Sequence, residues 1–85
     1  MPRTVVLVGK APCPLCDEAA EVLGALQVPW GFTLERMSAS DTRAEPEWAT
    51  QVPVVLVEGR VICRLIGDRW GIERALRDAG IGPSG

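Results

Sequence analysis

Residues 4–8, Thr-Val-Val-Leu-Val, form an apolar, β-branched run without polar alternation, and no other feature constrains the fold of this chain as strongly. A strand of that composition is expected to be covered on both faces, which is the setting of a central strand in an α/β sheet. Eighty-five residues supply the core of one domain and no more, so everything after this run must close around it.

Gly9 ends the run. From Leu15 the apolar residues recur at Ala19, Val22, Leu23 and Leu26 with helical spacing, continuing to Val28, and Pro29 is expected to stop the helix. Phe32, Leu34 and Arg36 alternate with Thr33 and Glu35, which predicts a short, partly exposed second strand, parallel to the first through a right-handed crossover. Residues 38–51 are polar, with Asp41 and Thr42 as helix-starting types and Trp48 and Ala49 as the apolar anchors of one short, loosely packed helix. Residues 52–57 and 61–65 flank Glu58-Gly59-Arg60 and read as a β-hairpin turning at Gly59. Asp68 is placed to cap a last helix with apolar positions Ile72, Ala75, Leu76 and Ala79 and with Gly80 as its stop, while residues 81–85 read as a frayed tail. The order is β-α-β, a short helix, then β-β-α. It predicts a single α/β domain over residues 1–85, a four-stranded mixed sheet with helices on both faces.

Composition narrows the function classes. With 47% hydrophobic and 24% charged residues the chain is globular rather than disordered. The formal charge is -2, and the nine basic residues are scattered along the sequence from Arg3 to Arg77, so a nucleic-acid partner is not expected. There is neither an apolar run of membrane-spanning length nor a secretory signal pattern. A cytoplasmic monomer without a membrane partner is the expectation.

Three cysteines are an odd number for a disulfide framework, and a closely spaced pair in a reducing compartment points to redox chemistry or metal. The spacing of Cys13-Pro14-Leu15-Cys16 suits half a zinc site as well as disulfide exchange. Its position favours exchange: Cys13 falls at the N-cap of the first helix and Pro14 at its first turn, where a missing N–H costs nothing. The unpaired N–H groups and the helix dipole there favour an anionic sulfur, which makes Cys13 the candidate nucleophile. Cys16, a turn deeper on the side of Ala19 and Leu23, is then the resolving thiol. Lys10 adds positive charge near the pair, and Asp17 and Glu18 oppose thiolate formation. The chain has no histidine and only Cys63 as a further thiol, so no metal is assigned, leaving open a metal bridged between two subunits. Cys63, among Val61, Ile62 and Leu65, reads as a packing residue. Trp30, Trp48 and Trp70 read as anchors of small apolar clusters, with Trp70 alternatively lining a substrate groove. In Gln51-Val52-Pro53 a proline without a ladder N–H opens the third strand. A cis Val52–Pro53 bond is expected there, which leaves the Val52 backbone to pair with an incoming peptide.

Lys10-Ala11-Pro12-Cys13-Pro14-Leu15-Cys16 resembles the glutaredoxin pattern of lysine, two residues, then Cys-Pro-Tyr-Cys, and Val52-Pro53 resembles the cis-proline segment of that family. The element order is similar from residue 4 to residue 80. The resemblance implies a thioredoxin-like, glutaredoxin-type fold and a thiol-disulfide oxidoreductase in which Cys13 attacks a disulfide, a mixed disulfide forms, and Cys16 resolves it. It also implies that Lys10 and the Val52 backbone touch a glutathione-like substrate. The substrate-binding set is therefore Lys10, Pro12, Pro14, Leu15, Val52, Pro53 and Asp68. No bound cofactor is implied, glutathione is admitted as a co-substrate, and the partner is a disulfide-containing protein or a small thiol. Leu15 stands where the family pattern has tyrosine. Ile66-Gly67-Asp68 matches half of the family's Gly-Gly motif, with Trp70 near the place of a glutathione-binding aspartate and Asp68 serving in a shifted register. Two other readings stand beside the enzyme: a catalytically weak peptide-binding module using the Val52-Pro53 edge, and a metal carrier using the cysteine pair.

Overall fold

In the computed structural model, which describes residues 3–83, β1 (Arg3–Gly9) takes the interior place its composition demands. It pairs parallel with β2 (Phe32–Ser38) on one side and antiparallel with β3 (Val54–Val57) on the other. β4 (Arg60–Arg64) completes a four-stranded sheet of order β2-β1-β3-β4. Alternation along the strands then divides the core in two. Val5, Leu7, Phe32, Val55 and Val57 meet Ala19, Leu23 and Leu26 of α1 (Pro14–Trp30) and Ile72 and Leu76 of α2 (Arg69–Asp78). On the opposite face Val8, Val54 and Leu56 meet Val52, Cys16 and Trp48, the last from a 3-10 helix over Pro46–Thr50.

Both α-helices thus share one face, and among the described residues the 3-10 helix is the one helical element on the other. Trp48 is the single buried residue of that short helix, too narrow an anchor for an amphipathic α-helix. Asp41 does not start a helix: its carboxylate accepts the Arg43 N–H at 2.8 Å and the Arg43 guanidinium at 3.1 Å, the local turn that competes with helix formation.

Three boundaries differ from expectation. α1 runs through Pro29 to Trp30 and ends at Gly31, whose N–H bonds the carbonyls of Gln27 and Val28. Burial of Trp30 in the core docks the last turn, and the backbone leaves the helix only where φ reaches 66°, a conformation glycine adopts without a Cβ penalty. The hairpin turn is the two residues Glu58 and Gly59, with φ of 51° and 80°, so Arg60 already faces Val57 in β4. Ile81 is not frayed. After Ala79 caps α2, the Gly80 N–H reaches Arg77 and the Ile81 N–H reaches Leu76, each at 2.9 Å, and the Ile81 side chain is 5% exposed within the helix-side core. Residues 84–85 of the expected tail lie outside the described residues.

A bulge in β4 shapes the edge of the sheet. Val55 faces Cys63 but Leu56 faces Val61, so Ile62 is the extra residue. Val61 and Cys63 therefore join opposite cores despite their even spacing. Among the described residues no helix is long and apolar enough to cross a membrane.

Candidate active site

β1 delivers the chain to Gly9, and Lys10, Ala11 and Pro12 carry it to Cys13 at the N-cap of α1, with Pro14 in the first turn. The Ala11–Pro12 and Val52–Pro53 peptide bonds are both cis. Cys13 is extended (φ -157°, ψ 95°), and its Sγ accepts the Cys16 N–H at 3.1 Å. The sulfur occupies the place of a capping oxygen and satisfies one of the orphan donors of the first turn.

Cys13 and Cys16 are joined as a disulfide with their Cα atoms 5.2 Å apart. Cys16 is 3% exposed and belongs to the cluster of Val8, Val52, Val54, Leu56 and Trp48, while Cys13 is half-buried and packs against that cluster from outside. Gly9 makes room for the inner cysteine, since a Cβ there would stand 3.3 Å from the Cys16 Cβ. Cys13 is the more exposed member of the pair, and Cys16 lies a turn deeper.

The structure gathers most of the predicted substrate-binding set around this pair. Pro12, Pro14 and Leu15 are exposed neighbours of Cys13 in the chain. Val52 lies in the cluster that holds Cys16, 7% exposed, and Pro53 behind it is fully buried. Among the described residues Val52 makes no main-chain hydrogen bond, whereas the Pro53 carbonyl accepts the Leu65 N–H at 2.9 Å. Asp68 caps α2 through the Gly71 N–H at 2.8 Å and stays exposed. Lys10 places its Nζ on the Ala49 carbonyl at 2.9 Å, so its charge lies beside the cysteine loop while holding the 3-10 helix in place. On that side a hollow of about 360 Å³ is lined by Lys10, Cys16, Asp17 and Arg36.

Gly67 was missed as a site residue. A Cβ on it would stand 2.5 Å from the Leu15 carbonyl oxygen and 2.8 Å from the Leu15 Cδ1, so only a glycine lets the turn before α2 close on the cysteine motif. Its signal was present in the half-matched Gly-Gly motif; the Ala49 carbonyl has no signature of that kind. Trp30 and Trp48 are buried anchors as expected. Trp70 is not: it is 72% exposed, with the Arg74 guanidinium 5.7 Å from its ring centroid, and it lines a groove between β4 and α2. Cys63 is a buried free thiol in the helix-side core, and burial, followed by the negative charge of Asp68, pushes it up to about 11. Among the described residues no group of three or more His, Cys, Asp or Glu side chains converges on a metal position.

A mixed sheet of this order, with a cysteine pair at the β1–α1 junction and a cis-proline before β3, defines a protein of glutaredoxin-type thioredoxin fold whose cysteines are arranged for redox-type chemistry. The family model described as Glutaredoxin-like domain (DUF836) matches residues 4–76, and the chain belongs to that family. No curated protein gives a significant match to it.

Proposed function

We propose that this protein is a cytoplasmic thiol-disulfide oxidoreductase that reduces protein or low-molecular-weight disulfides. The observation that carries the proposal is the asymmetry of the pair, with the Cys13 sulfur at the helix N-cap accepting the Cys16 N–H and the Cys16 sulfur buried within bonding distance of it. In the reduced protein, the Cys16 N–H that holds the Cys13 sulfur and the dipole of α1 stabilise its thiolate. That thiolate attacks one sulfur of the substrate disulfide; an S–S bond to Cys13 forms, the substrate S–S bond breaks, and the first thiol leaves with a proton. The Cys16 thiolate then attacks the Cys13 sulfur and expels the second thiol. The substrate has gained two electrons and two protons, and the protein holds the Cys13–Cys16 disulfide. Two small thiols, of which glutathione is the proposed one, return it to the dithiol by the reverse exchanges.

Lys10, Val52 and Asp68 supply the polar contacts to the substrate, and Pro12, Pro14 and Leu15 its apolar surround. Val52 serves through its main chain, because its side chain is already buried. The test is turnover of a glutathionylated peptide. Cys13→Ser abolishes it, and Cys16→Ser accumulates a mixed disulfide at Cys13 that a mass measurement detects. Full activity in Cys13→Ser refutes the proposal.

A further inference from the structure

Five of the nine basic residues, Arg60, Arg64, Arg69, Arg74 and Arg77, fall on β4 and α2, against three acidic residues between positions 60 and 78, in a chain whose overall charge is -2. Between these two elements runs a groove of about 640 Å³, with an apolar floor that includes Ile62 and Ile66 and with Arg60, Arg74 and Trp70 among its lining. Arg43, Arg69 and Arg77 pair with carboxylates, whereas among the described residues Arg60 and Arg74 have no ion-pair partner. Arg74 instead lies over the exposed ring of Trp70. Arginine and tryptophan side by side over an apolar floor are the composition of an interface hot spot, and unpaired guanidiniums select a carboxylate-bearing ligand.

Ile66, which lines the groove, is followed in the chain by Gly67, which closes against Leu15 of the Cys-Pro-Leu-Cys motif. We infer that the β4–α2 groove docks an acidic, leucine-type segment of the protein whose disulfide Cys13 attacks, so that the substrate class is an acidic protein rather than a small disulfide alone. This inference rests on the exchange reading above. It adds a binding surface outside the predicted substrate set, one that steers a negatively charged partner toward an otherwise acidic molecule.

The experiment uses the full chain and three glutathionylated peptides that differ only in the segment beside the cysteine: glutamate-leucine, glutamine-leucine or lysine-leucine. Hydroxyethyl disulfide serves as a substrate with no docking segment. The wild type is expected to turn over the glutamate peptide with a kcat/KM about tenfold above the glutamine peptide at low salt, a preference that shrinks as salt rises. The R60E/R74E variant reverses the order of the glutamate and lysine peptides and leaves hydroxyethyl disulfide turnover unchanged. Trp70→Ala, at a position 72% exposed, lowers the glutamate peptide's kcat/KM without reversing the order. Equal kcat/KM for the three peptides, or a preference untouched by R60E/R74E and Trp70→Ala, overturns the docking inference while exchange itself stands. If the wild type turns over none of the substrates, the exchange reading fails instead. Docking is then decided by fluorescence anisotropy of a labelled, cysteine-free glutamate-leucine peptide: saturable binding weakened about tenfold by R60E/R74E supports it, and no saturation or no change overturns it.

Discussion

At the scale of single residues the two kinds of thiol in this chain separate by environment. Cys13 holds its sulfur on a helix N–H at the surface, and Cys63 holds its sulfur in the helix-side core. In the reduced protein, alkylation followed against pH is expected to label Cys13 as a thiolate at lower pH than an ordinary thiol and to leave Cys63 unlabelled until the chain unfolds. Cys63 has a second consequence. Its thiol titrates near 9.0 in the unfolded chain and is pushed up to about 11 in the fold. Between those values the folded state keeps a proton that the unfolded state gives up, so the contribution of Cys63 to stability is level below pH 9 and falls as pH rises toward 11. Urea unfolding of the wild type and Cys63→Ala across that range checks the sign: the stability difference between them should fall from pH 9 to pH 11. The placement of Cys13 was legible because an N-cap followed by proline has a sequence signature. The role of Gly67 was not, because the atom a Cβ there would strike, the Leu15 carbonyl oxygen, belongs to a residue far off in the chain.

At the scale of elements, the turn before α2 joins the cysteine motif to the far end of the fold. Gly67→Ala forces a methyl group onto the Leu15 carbonyl and side chain, an overpacking expected to cost about 1–3 kcal/mol in denaturant unfolding. Asp68→Ala removes the carboxylate that caps α2 and is expected to cost about 1 kcal/mol, while Asp68→Asn keeps most of the cap. Because the Asp68 charge also raises Cys63, Asp68→Asn should bring the Cys63 titration down, which spectroscopic thiolate detection would register. The order of the elements could be read from periodicity, since buried strands and amphipathic helices write their periods into the chain. Their ends could not. Trp30 carries α1 past a proline, the Ile81 N–H and side chain complete the end of α2, and a bulge at Ile62 turns β4, and each of these depends on what the residue meets in the packed core. Residues 38–51 are expected to hold one short, loosely packed helix, and the helix there is a 3-10 turn anchored by Trp48 on the second face of the sheet.

At the scale of the whole molecule, the sheet places the cysteine pair where β1 hands over to α1 and places β4 and α2, with their unpaired arginines, on the outer edge. Five of the nine basic residues already lie between positions 60 and 77, and the pairing of β4 with α2 sets two of them, Arg60 and Arg74, along one groove. The central claim remains the pairing of an outer, helix-held sulfur with an inner one that closes on it. A titration of the full chain in glutathione redox buffers, with the Cys13–Cys16 state read from the mass added by a thiol-alkylating reagent, tests that claim most directly. One reversible two-electron transition is expected, the same whether approached from the oxidised or the reduced protein, and absent from Cys13→Ser. A pair that stays in one state across the whole buffer range would contradict it.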